Sequence, residues 1–128
     1  MKSYIRLLLP ILFFINSEIS AQTYVSGGIY SDTTWTLVNS PYIVVGNIVV
    51  FPNVTLTIEP GVVVKLSNNL KIEIRQARLI AEGTISDSIT FTANSSSPVV
   101  GLWDQILLIG SNLYAKFNYC NFNYFTNP

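Results

Sequence analysis

Leu56-Thr57-Ile58-Glu59-Pro60-Gly61-Val62-Val63-Val64-Lys65 is the stretch on which the fold turns. Leu56 and Ile58 alternate with Thr55 and Thr57, the two-residue period of a strand with one dry face. Glu59-Pro60-Gly61 reads as a turn, because proline presets the first central dihedral and glycine permits a positive one after it. A second apolar run begins at once. Strand, tight turn and strand with no helical spacing between them predict an all-β chain.

The pattern spreads outward from there. Leu70, Ile72 and Ile74 alternate with Lys71, Glu73 and Arg75, and Ile89 and Phe91 alternate with Thr90 and Thr92. Ile106 with Leu108, and Phe117 with Tyr119, extend the alternation less cleanly. Ile48 and Ile72 lie 24 positions apart, Leu56 and Leu79 lie 23 apart, and Val64 and Ile89 lie 25 apart. Strand positions recurring together at such a period predict a solenoid in which each turn stacks on the last. Ile106 lies 34 beyond Ile72. The surplus of about ten is assigned to a loop at the polar, proline-containing segment Asn94 to Gly101.

Met1 to Ala21 reads as a cleavable export signal: Lys2 and Arg6 are basic, Leu7 to Ile15 is apolar, and Ile19-Ser20-Ala21 closes a polar segment. Spanning a bilayer takes about 20 apolar residues, and Asn16, Ser17 and Glu18 end this run early, so no transmembrane span is expected. Cleavage leaves Gln22 to Pro128, enough for one domain with one core. Five basic residues then face six acidic ones, a net charge near −1. Without a Lys/Arg patch to neutralise phosphates, nucleic acid is discarded as a partner.

The chain has no histidine, the side chain most used for proton transfer at neutral pH and the commonest zinc ligand. Cys120 is the single cysteine, so no intrachain disulfide forms, and its setting among Phe117 to Phe122 suits a small packing residue.

Tyr42-Ile-Val-Val-Gly46-Asn-Ile-Val-Val50, Leu56 to Lys65, Leu79-Ile-Ala-Glu-Gly-Thr84, Ile89-Thr-Phe-Thr92 and Leu102-Trp103 occur in that order, preceded by Asp32-Thr33-Thr34-Trp35. This set resembles the opening of right-handed parallel β-helix repeat proteins exported by Bacteroidetes-type bacteria. The resemblance implies a right-handed parallel β-helix of about three coils after an N-terminal cap, and secretion or display on the outer cell surface. Such proteins usually carry glycine where this chain has Gln76-Ala77 and Asp104-Gln105, so tighter or distorted corners are expected there. They usually run to several hundred residues. The chain therefore reads as a truncated N-terminal fragment whose last run, Ala115 to Phe125, leaves strand edges and Phe117, Tyr119 and Phe122 uncovered, with downstream coils of the same protein expected.

Parallel β-helices that act on polysaccharides gather carboxylates on an outer face, as a calcium site or an acid–base pair. The carboxylates here are Asp32, Glu59, Glu73, Glu82, Asp87 and Asp104. Glu73 between Lys71 and Arg75 reads as a solvated charge ladder. Glu59 and Glu82, 23 apart, would be brought near one another by stacking, but each also reads as a turn-flanking residue. Trp35, Trp103, Tyr24, Tyr30 and Tyr42 offer rings for stacking on sugars, against the plainer reading that they pack corners and the cap, with Trp35 shielding the start of the apolar column. Asn118, Asn121 and Asn123 could begin a ladder of stacked amides. Asn53-Val-Thr55 and Asn94-Ser-Ser96 match N-glycosylation acceptors by chance, and Asp32-Thr33-Thr34 and Asp87-Ser88-Ile89 resemble a short O-glycosylation motif.

No catalytic, cofactor-binding or metal-ligating residue is assigned. The expectation is a non-enzymatic, exported, adhesin-like β-helix with a structural or carbohydrate- or surface-binding role, its partner a polysaccharide or a host or cell-surface component. The alternative is the N-terminal part of a polysaccharide-active lyase or glycoside hydrolase.

Overall fold

A computed structural model describes residues 21–126; the expected export signal, Met1 to Ala21, lies outside them except for Ala21. Eleven strands run in order: β1 (Thr23–Ile29), β2 (Thr33–Trp35), β3 (Tyr42–Val50), β4 (Thr55–Ile58), β5 (Val63–Leu66), β6 (Ile72–Arg75), β7 (Arg78–Glu82), β8 (Ile89–Ala93), β9 (Ile106–Ile109), β10 (Tyr114–Asn118) and β11 (Cys120–Phe122). A single 3-10 turn, Leu37–Asn39, is the one helical element among the described residues.

All pairings between these strands are parallel. The first half of β3 pairs with β5 and its second half with β6, so β3 bends across two faces of the solenoid. The first face stacks β3, β5, β8 and β11; the second stacks β3, β6 and β9; the third stacks β2, β4, β7 and β10. β1 lies on β3 along both of its halves. The chain thus visits three faces in rotation, the path of a right-handed parallel β-helix, and the expected fold class stands.

Inward side chains form one apolar column. Ile48, Ile72 and Ile106 stack in register, as do Leu56, Leu79 and Ala115. Trp35, Ile58, Ala81 and Phe117 form another row, with the first three buried. Burying aliphatic side chains at each rung removes about 1.5–3 kcal/mol of unfavourable hydration apiece, which holds together coils that have no disulfide.

Three expectations need correction. Val64 stacks on Phe91, not on Ile89, because Ala81 and Thr90 are separated by eight residues where Ile58 and Val63 are separated by four. The extra residues form the loop through Gly83 to Ser88, where Thr84 Oγ1 accepts a hydrogen bond from the Asp87 amide. The surplus between Ile72 and Ile106 is accordingly divided: this loop supplies four residues, the connection from Asn94 to Gln105 supplies seven, and the corner after β6 gives one back. Tyr119, expected to point inward with Phe117, sits instead at a corner with φ 48° and its ring exposed; Ala115 takes the inward position.

Corners follow residue type. Gly61 has φ 79° in the turn read from Pro60-Gly61. The corner from β6 to β7 is tight, only Gln76 and Ala77 between Arg75 and Arg78, and it forces Gln76 to φ 48°. That is the left-handed region in which a side chain costs about 1–2 kcal/mol. Asp104 and Gln105 show no such distortion; the Asp104 amide donates to the Leu70 carbonyl and the Ile72 amide to the Gln105 carbonyl.

Candidate functional site

Polar corner residues staple one coil to the next. Asp32 Oδ1 accepts from the Thr55 amide at 2.8 Å, Ser40 Oγ from the Val63 amide at 2.9 Å, and Asn47 Oδ1 from the Lys71 amide at 3.0 Å. Glu59 Oε2 accepts from the Leu37 amide at 2.8 Å, whereas Asp87 stays within its own loop, accepting from the Ser86 hydroxyl at 3.2 Å. Each staple satisfies a backbone donor or hydroxyl at a corner, where the strand ladder is interrupted.

The remaining carboxylates face cations or the open end. Glu82 pairs with Lys116 Nζ at 2.5 Å and accepts from Asn118 Nδ2 at 3.4 Å. The hydrogen bond from Lys116 to Glu82, and then the carboxylate charge, raise the Lys116 pKa above its ordinary value. Glu59 and Glu82 follow the registered pair Ile58 and Ala81, so stacking sets them at one corner of successive coils as expected, but each is committed to a separate partner. Asp104 lines the rim of the open end.

Glu73 departs from its expected solvated setting. It is 5 % exposed, with Arg75 Nε donating to Oε1 at 2.6 Å and Lys71 Nζ 3.8 Å from Oε2. Val49 and Leu107 flank it in the neighbouring rungs. Outward position on a strand did not mean contact with water, because long neighbours on the same face close over it.

The aromatic candidates divide in two. Trp35, Tyr42 and Trp103 are buried. Trp35 stacks on Tyr42 at 4.9 Å, the Tyr42 hydroxyl accepts from the Thr36 amide, and Trp103 Nε1 donates to the Asn123 carbonyl at 2.6 Å. These rings pack. Tyr24 and Tyr30 are 65 % and 74 % exposed. Tyr30 stacks on Phe51 at 4.5 Å with 15° between the planes, and the Arg75 guanidinium lies 5.7 Å from the Phe51 ring. Register places Tyr30, Phe51 and Arg75 just past Ile29, Val50 and Ile74 in successive coils, a ridge running along the solenoid axis. Round the corner, the Arg78 guanidinium lies 4.7 Å from the Tyr114 ring. This ridge, with Tyr30 and Arg75 exposed and Phe51 half-buried between them, is the candidate binding surface.

The family model described as a pectate-lyase-like β-helix domain matches residues 27–122. The chain belongs to that family. No curated protein and no solved structure matches it. For a pectate-lyase-like β-helix domain, the match runs from β1 to the end of β11 and so covers every coil described above.

Other residues singled out in this β-helix domain have structural settings. Cys120 Sγ donates to the Ala81 carbonyl at 3.3 Å and to the Asn118 carbonyl at 3.4 Å. Burial pushes its thiol pKa up, and a backbone hydrogen bond at Asn118 opposes that in part. Asn118 faces Glu82, Asn121 lies beside Thr90, and Asn123 meets Trp103 through its carbonyl. Asn53 occupies a corner at φ 67°, and Asn94 is an exposed residue whose amide reaches Ser67 Oγ. Phe51 was not singled out in the sequence, and only the spacing Tyr30, Phe51, Arg75 at roughly one-coil intervals would have signalled the ridge.

Proposed function

We propose that this β-helix domain is an exported, non-enzymatic surface module, adhesin-like in the sense of a rigid scaffold that binds carbohydrate or another surface component. The observation that carries this reading is the employment of the carboxylates. Of the six carboxylates among the described residues, Asp32 and Glu59 bond to backbone amides of neighbouring coils, Glu73 lies between two cations and Glu82 pairs with Lys116, which leaves Asp87, bonded to its neighbour Ser86, and Asp104, on a different connection at the rim of the open end. Cleaving a glycosidic bond needs two carboxyl groups left free to face one sugar. The exposed ridge of Tyr30, Phe51 and Arg75 supports the binding role, since aromatic faces beside a guanidinium match the apolar face and hydroxyl or acidic groups of sugars.

Membership in a pectate-lyase-like family favours the second reading, a part of a polysaccharide-active enzyme. A panel of neutral and acidic polysaccharides separates the two. Affinity electrophoresis is expected to show retardation by at least one polysaccharide, weakened in Tyr30→Ala, with no new reducing ends or unsaturated products after prolonged incubation. Depolymerisation of any polysaccharide by the unaltered chain would overturn the non-enzymatic reading, and absence of retardation across the panel would overturn the carbohydrate-binding role.

A further inference from the structure

Gly28, Val49 and Glu73 stand in register on the outer side of β1, β3 and β6, and each comes two positions before a member of the ridge, Tyr30, Phe51 or Arg75. Two of the three seat the ridge. A Cβ on Gly28 would lie 2.6 Å from two ring carbons of Tyr30 and 2.7 Å from its hydroxyl. The ring therefore rests in the notch that the missing side chain leaves, and it stacks on Phe51 from there. Glu73 receives both Nε and Nη2 of Arg75 on one oxygen, at 2.6 and 2.5 Å, and the guanidinium so held lies beside the Phe51 ring.

Holding side chains in place before a ligand arrives removes part of the ordering cost of binding, so the ridge is a preformed platform. Its charge is nearly spent. Arginine clasps a carboxylate through two parallel N–H bonds, and the Nε–Nη2 edge of Arg75 is already on Glu73. The other cations along this side are Lys71, 3.8 Å from Glu73, and Arg78, which lies against Tyr114. Asp32, bonded to the Thr55 amide, stands in the row of Thr55 and Arg78. Three cations against two anions leave one surplus positive charge, too little for a chain with an acid on every sugar. An incoming carboxylate would also meet Glu73 itself, an anion that salt screens poorly because it is buried.

We propose that the ridge takes neutral polysaccharide and that Glu73 sets this choice, with Gly28 as the positioning residue for the Tyr30 ring. The inference rests on the reading of the ridge as a glycan-binding surface. The Tyr30 ring offers an apolar face to the C–H side of a sugar, and the Nη1 side of Arg75 remains to donate to hydroxyls. Glu73 acts through its neighbours: it fixes the guanidinium, answers its charge and repels an acidic chain of the same shape. Discrimination between ligands of one shape calls for such a repulsive element as well as an attractive one.

The test is affinity electrophoresis in gels holding neutral polysaccharides (galactomannan, xyloglucan, mixed-linkage β-glucan) or acidic ones (polygalacturonate, alginate), at low and at high salt. Retardation by a neutral member is expected, unchanged by salt, with weaker retardation or none by the acidic pair. Glu73→Gln keeps the shape of the side chain and frees the charges of Arg75 and Lys71, so acidic retardation should rise by about tenfold at low salt. Gly28 is outside the left-handed region, and an added Cβ meets only the far end of an exposed side chain. Gly28→Ala should therefore displace the ring and weaken neutral binding by about fivefold while circular dichroism stays unchanged. Retardation that is as strong with the acidic pair, or that salt abolishes, would overturn this proposal and leave the glycan-binding reading standing. So would a folded Glu73→Gln that gains nothing, or neutral binding indifferent to Gly28→Ala. Should Glu73→Gln fail to fold, the choice of the unaltered chain between the two sets and its salt response decide the matter. No retardation by either set would overturn both readings.

Discussion

Arg75 donates to the carboxylate of Glu73 at 2.6 Å, and the acid so held is almost wholly removed from water although it points away from the core. A carboxylate in that setting depends on its two cations. Glu73→Lys would put a third cation between Lys71 and Arg75 beneath Leu107, and removing one partner of a buried pair costs about 3–5 kcal/mol. Glu73→Leu also takes the anion from Lys71 and Arg75, but their side chains are 31 % and 46 % exposed and can turn to water, so it should cost clearly less than Glu73→Lys. Urea unfolding checks the order: a midpoint for Glu73→Lys close to that of the unaltered chain would refute the buried-pair account.

Phe91 ties three rungs together. It lies over Val64 and under Phe122 at 5.0 Å between ring centroids, with Phe117 edge-on at 6.4 Å. Phe91→Ala should cost about 3–5 kcal/mol, whereas Ile89→Val in the adjoining row should cost about 0.5–1.5 kcal/mol. Equal losses measured by denaturant unfolding would mean that the register assigned to β8 is wrong.

Much of this was legible in the chain itself, and the failures share a cause. Ile48 over Ile72, Leu56 over Leu79 and Ile72 over Ile106 could be read because alternation and period report which residues share a face. Val64 over Phe91 could not, since a loop of unknown excursion intervenes and register across it is decided by pairing, not by counting. Glu73 was misjudged because period two separates inward from outward but says nothing of what covers the outward side. The carboxylate staples were invisible for a similar reason: Asp32 and Thr55, or Glu59 and Leu37, meet only once the coil has closed.

Cys120 offers a pH test. Burial raises its thiol pKa above the ordinary 9.0, so the folded chain holds this proton more tightly than the unfolded chain does. Stability should therefore be unaffected by this group below pH 9 and should fall as the pH climbs from there toward the folded pKa, because the unfolded thiol ionises first. A disulfide reagent at pH 8 should react slowly with the folded chain and rapidly in denaturant. Equal rates in the two states would show that the thiol is neither partly shielded nor held by the Ala81 carbonyl.

Gln76 and Gly110 occupy the same corner in successive coils, and both have positive φ, 48° and 107°. The Gln76 amide donates to the Ile109 carbonyl at 2.7 Å, and a Cβ placed on Gly110 would collide with the side chain of Gln76. Gly110→Ala thus meets two penalties, a backbone conformation that L-residues rarely adopt and a clash with the coil beneath. Gln76→Gly removes strain instead: relief of the left-handed penalty of about 1–2 kcal/mol exceeds the roughly 0.5–1 kcal/mol that glycine costs through added freedom in the unfolded chain. The single change should raise stability slightly. Combined with Gly110→Ala it should recover part of that variant's loss, because the clash disappears while the backbone penalty at position 110 remains. A double-mutant cycle by thermal or denaturant unfolding measures the coupling. Strict additivity would show that the two corners do not touch, and a loss of stability in Gln76→Gly alone would show that the side chain of Gln76 contributes more than its strained backbone costs.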